Sequence, residues 1–243
     1  MHFFSAFPKI LMIAGVIFIL SREALSGYFK GFDRARFFRI NIQRSTVVFL
    51  TAVFIALLAT DPWTASLLHQ WKTLFAERLA DFGGALGRNV NPWFFLIAIY
   101  ALAFALRSSG MRRNVFGSLF SAILASVMSL LLKFVFLRAR PYAGFGHLSF
   151  FNGDGLLKDD RAFQSFSSGD VAVVAAIAFY FSNRTHNFFL KWFFCALPLA
   201  TAFARVHAFK HWPSDTWLSV ALGFVAAGMV FNDENNRPST VTA

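Results

Sequence analysis

Three small groups of ionisable residues, each beside an apolar run, are the places where this chain could do chemistry. In LLKFVFLRARPYAG, Lys133 and Arg140 lie seven residues apart, two helical turns, so both would project from one helix face before Pro141 stops the helix. Either cation alone would also serve as an ordinary interface anchor. In QSFSSGDVAVV, Ser168 is a natural N-cap and Gly169 lets backbone approach a ligand, while the first free N–H groups of the following helix make an anion site. Asp170 in the first turn suits the helix dipole, and Ser and Asp are common there for structural reasons alone. In FARVHAFKHWPSDTW, Arg205 and His211 share a loop, and Asp215 follows His211 by four residues, close enough to hold an imidazole nitrogen. An oriented histidine is a nucleophile or a base, and beside several cations it has what phosphoryl transfer through a phosphohistidine requires. His207 and Lys210 share that loop without any role that their spacing assigns.

The elements that must position these groups are apolar. Of 243 residues, 57% are hydrophobic, 34 are phenylalanine and only 14% are charged, against roughly 25% in a soluble domain. The chain therefore reads as an integral membrane protein. Its net charge of +11 is spread between apolar runs, which favours anionic lipid over nucleic acid as partner. Cys195 lies inside an apolar run, so no disulfide or cysteine metal site is implied.

Apolar runs near 10–20, 46–60, 93–106, 115–137, 171–182, 188–204 and 216–231 predict an all-α transmembrane bundle of six core helices. The first run, about eleven residues long, either crosses, giving seven spans with an outer N-terminus, or lies in the interface and leaves six, the second being favoured by its length. Arginine-rich 22–44 and 107–113 read as cytoplasmic, which places 61–92, 138–168 and 205–215, with all three polar groups, on the outer side. Residues 67–87 carry apolar residues at helical spacing and read as an interfacial helix on that side. The expected organisation is a membrane-associated segment 1–44, a single transmembrane domain 45–231 and a cytoplasmic tail 232–243.

The three groups together resemble the type 2 phosphatidic acid phosphatase superfamily, whose signature is Lys-x6-Arg-Pro, Pro-Ser-Gly-His and Ser-Arg-x5-His-x3-Asp. Lys133-x6-Arg140-Pro141 and Arg205-x5-His211-x3-Asp215 match, in order, over a resemblance covering about residues 45–231. The resemblance implies that His211 attacks phosphorus, that Asp215 orients it, and that Lys133, Arg140, Arg205, Ser168 and the Gly169 N–H cradle the phosphoryl oxygens. It implies no metal and no cofactor. The chain departs from the pattern at Ala204, which replaces a serine, and at Asp170, which replaces the histidine taken as general acid.

A carboxyl is a poor acid at neutral pH unless its pKa rises from ~3.9. A weak acid suffices when the departing oxygen is not very basic, as in an anomeric sugar phosphate or a pyrophosphate. The expectation is thus a lipid-headgroup phosphatase of a Gram-negative inner membrane, similar to the lipid A phosphatases of this superfamily, with the 1-position favoured and the site facing the periplasm. Undecaprenyl pyrophosphate, phosphatidylglycerophosphate, transfer to another lipid, and non-catalytic lipid binding are the alternatives. His147 is an alternative acid, Tyr142 and Trp212 are expected at headgroup depth, and FNGDGLLKDDR only faintly imitates a calcium loop.

Overall fold

The computed structural model describes residues 2–25, 43–88, 90–151 and 161–235. The basic residues Lys30, Arg34, Arg36 and Arg39, most of the FNGDGLLKDDR stretch and the tail beyond 235 lie outside them. Among the described residues the fold is all helical: α1 (His2–Leu25), α2 (Arg44–Gln70), α3 (Leu74–Gly87), α4 (Asn91–Ala105), α5 (Ser109–Phe136), α6 (Gly169–Arg184), α7 (Phe188–His207) and α8 (Pro213–Asn235).

Local chemistry sets the boundaries. Side chains of Thr73, Ser108 and Asn187 accept the backbone N–H of Ala76, Met111 and Leu190, capping α3, α5 and α7. Pro92 suits the first turn of α4, and Pro213 opens α8. The predicted interfacial helix over 67–87 divides: residues up to Gln70 complete α2, Trp71–Thr73 are not helical, and only 74–87 form the outer helix. The break falls where Thr73 turns its hydroxyl to the new helix N-terminus.

Four stretches are long and apolar enough to cross a membrane: Arg44–Gln70, Ser109–Ala143, Phe188–His207 and Pro213–Phe231. The other two expected spans, α4 and α6, have 15 and 16 residues, short of the ~20 that a crossing needs. Helix α6 instead forms the centre. Every residue from Val171 to Ala178 is buried, against α5, α7 and α8. Close packing there depends on small residues: a Cβ on Gly223 of α8 would lie 2.4 Å from the Ala175 Cβ. Large apolar side chains such as Val48, Phe134, Phe189 and Trp192 point outward, the inverse of a water-soluble bundle and suited to lipid.

Helix α1 is longer than the apolar run that marks it. It is 24 residues long and runs lengthwise beside α4, with Gly15 against Ile97, Ile19 buried, Arg22 over the Phe104 ring at 4.5 Å, and Glu23 accepting from the Tyr100 hydroxyl at 2.6 Å. Its helical periodicity continues beyond the eleven-residue apolar run, which alone had suggested a shorter element. At one end of the bundle the C-termini of α5 and α7 meet the N-termini of α6 and α8, bringing the three polar groups together.

Candidate active site

Lys133 occupies the last turn of α5, but the helix ends at Phe136 and Leu137 adopts a left-handed conformation (φ 41°). Arg140 therefore does not share its helix face. It sits on extended backbone whose N–H donates to the Ala162 carbonyl at 2.7 Å, and Pro141 begins a single 3-10 turn, Pro141–Ala143. Convergence with Lys133 comes from the returning loop, pinned by Ala139 N–H to Ser149 O and Ser165 N–H to Arg138 O. Among the described residues neither cation has a carboxylate within ion-pair distance, and the buried Arg140 Nε has no hydrogen-bond partner.

Ser168 holds the N-cap position of α6, but its side chain does not cap. Its N–H donates to Ser219 Oγ at 2.8 Å, while its own buried Oγ has no partner among the described residues. Gly169 opens the helix beneath Lys133: a Cβ there would sit 3.7 Å from the Lys133 Nζ. Asp170 pairs with Arg205, Oδ2 to Nη2 at 3.1 Å. Arg205 lies in the last turn of α7 rather than in the following loop, because α7 continues to His207. Gly87 of α3 abuts this pair, since a Cβ on it would lie 3.2 Å from Asp170 Cβ and 3.3 Å from Arg205 Nη2.

His211 is held differently from the spacing argument. Its Nδ1 is 2.8 Å from the Ser165 carbonyl and 4.0 Å from Asp215 Oδ2. A carbonyl only accepts, so Nδ1 carries the proton and Nε2 keeps its lone pair. Asp215 acts on the imidazole through Ser165, whose hydroxyl donates to Asp215 Oδ2 while its carbonyl fixes the ring. The i,i+4 spacing brings the two within ion-pair distance but not to a direct hydrogen bond, because His211 precedes α8, which starts only at Pro213. The Trp212 N–H also donates to Oδ2 at 2.9 Å, filling the position the imidazole would need.

A second buried shell, absent from the spacing analysis, supports Asp215. The fully buried Arg138 donates to Asp215 and, at 2.6 Å, to Asp61 of α2. Asp61 also accepts from the Ser214 N–H at 2.9 Å, and the Arg138 Nε donates to the His147 carbonyl at 2.8 Å. The Phe150 and Trp212 rings flank the guanidinium at 4.9 and 5.6 Å. The signal available in the sequence was the one used elsewhere, a charge beside an apolar run.

Lys133, Arg140, Gly169, Asp170, Arg205 and His211 line a cavity of about 930 Å³. Ser168 and Asp215 are fully buried and are not among its lining residues. Arg161, Gln164, His207 and Lys210 also line it. His207 is oriented by Nε2–H donation to the Trp71 carbonyl at 3.1 Å. The His147 ring packs edge-on against Trp212 instead of lining the cavity, Trp212 is itself buried with its indole N–H on the Ala139 carbonyl, and Tyr142 stands half-exposed at the cavity. Burial first, then the charges of Arg140 and Lys133, hold the His211 pKa well below its ordinary 6.5, so the ring is neutral at pH 7. The arrangement offers an unprotonated, oriented imidazole nitrogen within a cationic cavity, suited to attack on a phosphoryl group.

No curated protein sequence matches the chain. Its fold is similar to the crystal structure of Aquifex aeolicus LpxE, with a TM-score of 0.53 and 18% identity, over 70% of this chain and 94% of that one. The sequence model of the PAP2 superfamily matches residues 114–239, which contain all three polar groups and just over half of the chain. The chain therefore belongs to the PAP2 superfamily, the type 2 phosphatidic acid phosphatases.

Proposed function

We propose that the protein is an integral membrane phosphatase that removes a phosphoryl group from a lipid headgroup at the periplasmic face of a bacterial inner membrane, with lipid A as leading substrate. The observation that carries this reading is His211: its Nδ1–H is locked on Ser165, so Nε2 remains a nucleophile in a cavity lined by Lys133, Arg140 and Arg205. Nε2 forms a bond to phosphorus as the bond from phosphorus to the headgroup oxygen breaks. The three cations, with the Gly169 N–H at the start of α6, balance the charge of the transferring phosphoryl oxygens. Water then attacks the phosphohistidine, releasing inorganic phosphate and restoring the imidazole. Asp215, acting through Ser165, keeps Nδ1 protonated throughout. We assign Asp170 to holding Arg205 against the phosphoryl oxygens, since one of its oxygens is already committed to that guanidinium. The leaving oxygen then departs with little protonation, which favours weakly basic leaving groups: an anomeric sugar phosphate such as the lipid A 1-phosphate, or a pyrophosphate.

The test is phosphate release by the purified protein in detergent from lipid A, undecaprenyl pyrophosphate, phosphatidylglycerophosphate and phosphatidic acid. Release from lipid A is expected, and His211→Ala should lower it by about 10³-fold or more, as loss of a nucleophile does. Release from undecaprenyl pyrophosphate alone would move the substrate to a pyrophosphate, and equal activity in His211→Ala would overturn the mechanism.

A further inference from the structure

The cavity is larger and less uniform than phosphate capture requires. Its volume of about 930 Å³ lies near the upper end of the ~300–1,000 Å³ range of small-molecule sites. Six cations line it, Arg88, Lys133, Arg140, Arg161, Arg205 and Lys210, but so do the carboxylates Glu77 and Asp81 besides Asp170. Asp170 has Arg205. Among the described residues the Glu77 and Asp81 side chains have no ion-pair or hydrogen-bond partner. Two unpaired carboxylates beside an anion site weaken phosphate binding by like-charge repulsion unless the ligand itself supplies donors to them.

Their placement is specific. Glu77 and Asp81 are one turn apart on α3, with Gly84 and Arg88 continuing the same cavity-facing stripe, whereas Phe75 and Phe82 are exposed on another face. Helix α3 is held in register by its approach to α7: a Cβ on Gly83 would meet the Ala200 carbonyl oxygen at 2.0 Å. An independent feature already marks the cavity as a ligand site. The side chain of His211 is 5% exposed, and among the described residues its Nε2 has no partner. An ammonium group is disfavoured in a cavity with six cations and three carboxylates, whereas neutral hydroxyls donate to carboxylates without that repulsion. The spacing along one helical turn, about 6 Å, fits hydroxyls distributed around a sugar ring.

We propose that α3 is the substrate-selecting wall of the site, with Glu77 and Asp81 accepting hydrogen bonds from the hydroxyls of a polyhydroxylated, sugar-type headgroup whose phosphate is held by Lys133, Arg140 and Arg205. The proposal rests on the phosphatase reading above but is separable from it. The experiment measures binding of two soluble probes, glucose 1-phosphate and inorganic phosphate, to the purified full-length protein by calorimetry, in wild type, Glu77→Ala and Asp81→Ala. Both positions are exposed and helical, where alanine is well tolerated. Wild type is expected to bind glucose 1-phosphate at least tenfold more tightly than phosphate, and each variant to reduce that ratio by about fivefold or more. A ratio near one in wild type, or one that neither variant changes, overturns the proposal. A sugar preference that responds to the variants supports it even where the lipid assay releases no phosphate. That combination would sink the phosphatase reading and leave the wall standing.

Discussion

At the scale of single residues, the function proposed for His211 depends on its being neutral, and burial together with Arg140 and Lys133 enforces this. Its folded pKa lies below that of the unfolded chain, ~6.5, so between the two values the unfolded state binds more protons. The His211 contribution to stability is therefore full above pH 6.5 and declines as pH falls through that window. Activity follows the same direction: the acid limb of kcat/KM, which reports the free enzyme, should fall at a pH clearly below 6.5, and a limb at or above 6.5 would contradict the geometry. Arg138 presents a different case, a buried cation shared by two carboxylates. Arg138→Met would leave Asp61 and Asp215 facing each other uncompensated, and breaking such a pair costs about 3–5 kcal/mol. A marked fall in thermal midpoint is expected, with activity falling as well because Asp215, no longer held by Arg138, ceases to fix Ser165 in place.

At the scale of elements, α3 matters because it is both packed and catalytically adjacent, and its glycines separate the two properties. Gly83→Ala would place a methyl 2.0 Å from the Ala200 carbonyl oxygen, backbone that cannot rotate away, so α3 must lift from α7 and carry Gly87 off the Asp170–Arg205 pair. Gly84 faces open space, with no atom within 4 Å of where a Cβ would sit, and Gly84→Ala should stabilise the helix by ~0.5–1 kcal/mol. Thermal melts of the two variants should therefore move in opposite directions. None of this packing was legible in the sequence, because Gly83 and Ala200 meet only when α3 lies on α7. The same holds for Arg138 and Asp61, 77 positions apart, and for Ser165, whose carbonyl replaces the carboxylate that spacing assigned to His211. Legible beforehand were the residues whose type and order carry the chemistry: Lys133, Arg140, Arg205 and His211 do converge, although two of them sit on different elements from those that their spacing suggested. Periodicity identified the helices but not their breaks, since Trp71–Thr73 and Leu137 interrupt otherwise continuous patterns.

At the scale of the whole molecule, the proposed substrate requires the site to open to the periplasm. The bundle separates its charges along its long axis: Arg107 lies just before α5 and Arg112 and Arg113 near its start, and Lys133 lies some 30 Å further along that helix at the site end. Basic loops are retained on the cytoplasmic side, so the arginine end should face inward and the cavity outward. Two exposed positions report this directly. Leu148 is in the loop after α5 at the site end, and Ser109 begins α5 at the other. In a Cys195→Ser background, Leu148→Cys should react with a membrane-impermeant thiol reagent applied to spheroplasts, and Ser109→Cys should react only after lysis. The reverse pattern would put His211 on the cytoplasmic side. A lipid exposed only in the periplasmic leaflet could then not be the substrate, while the PAP2 fold and the His211 geometry would remain and the search would turn to cytoplasmic-leaflet lipid phosphates.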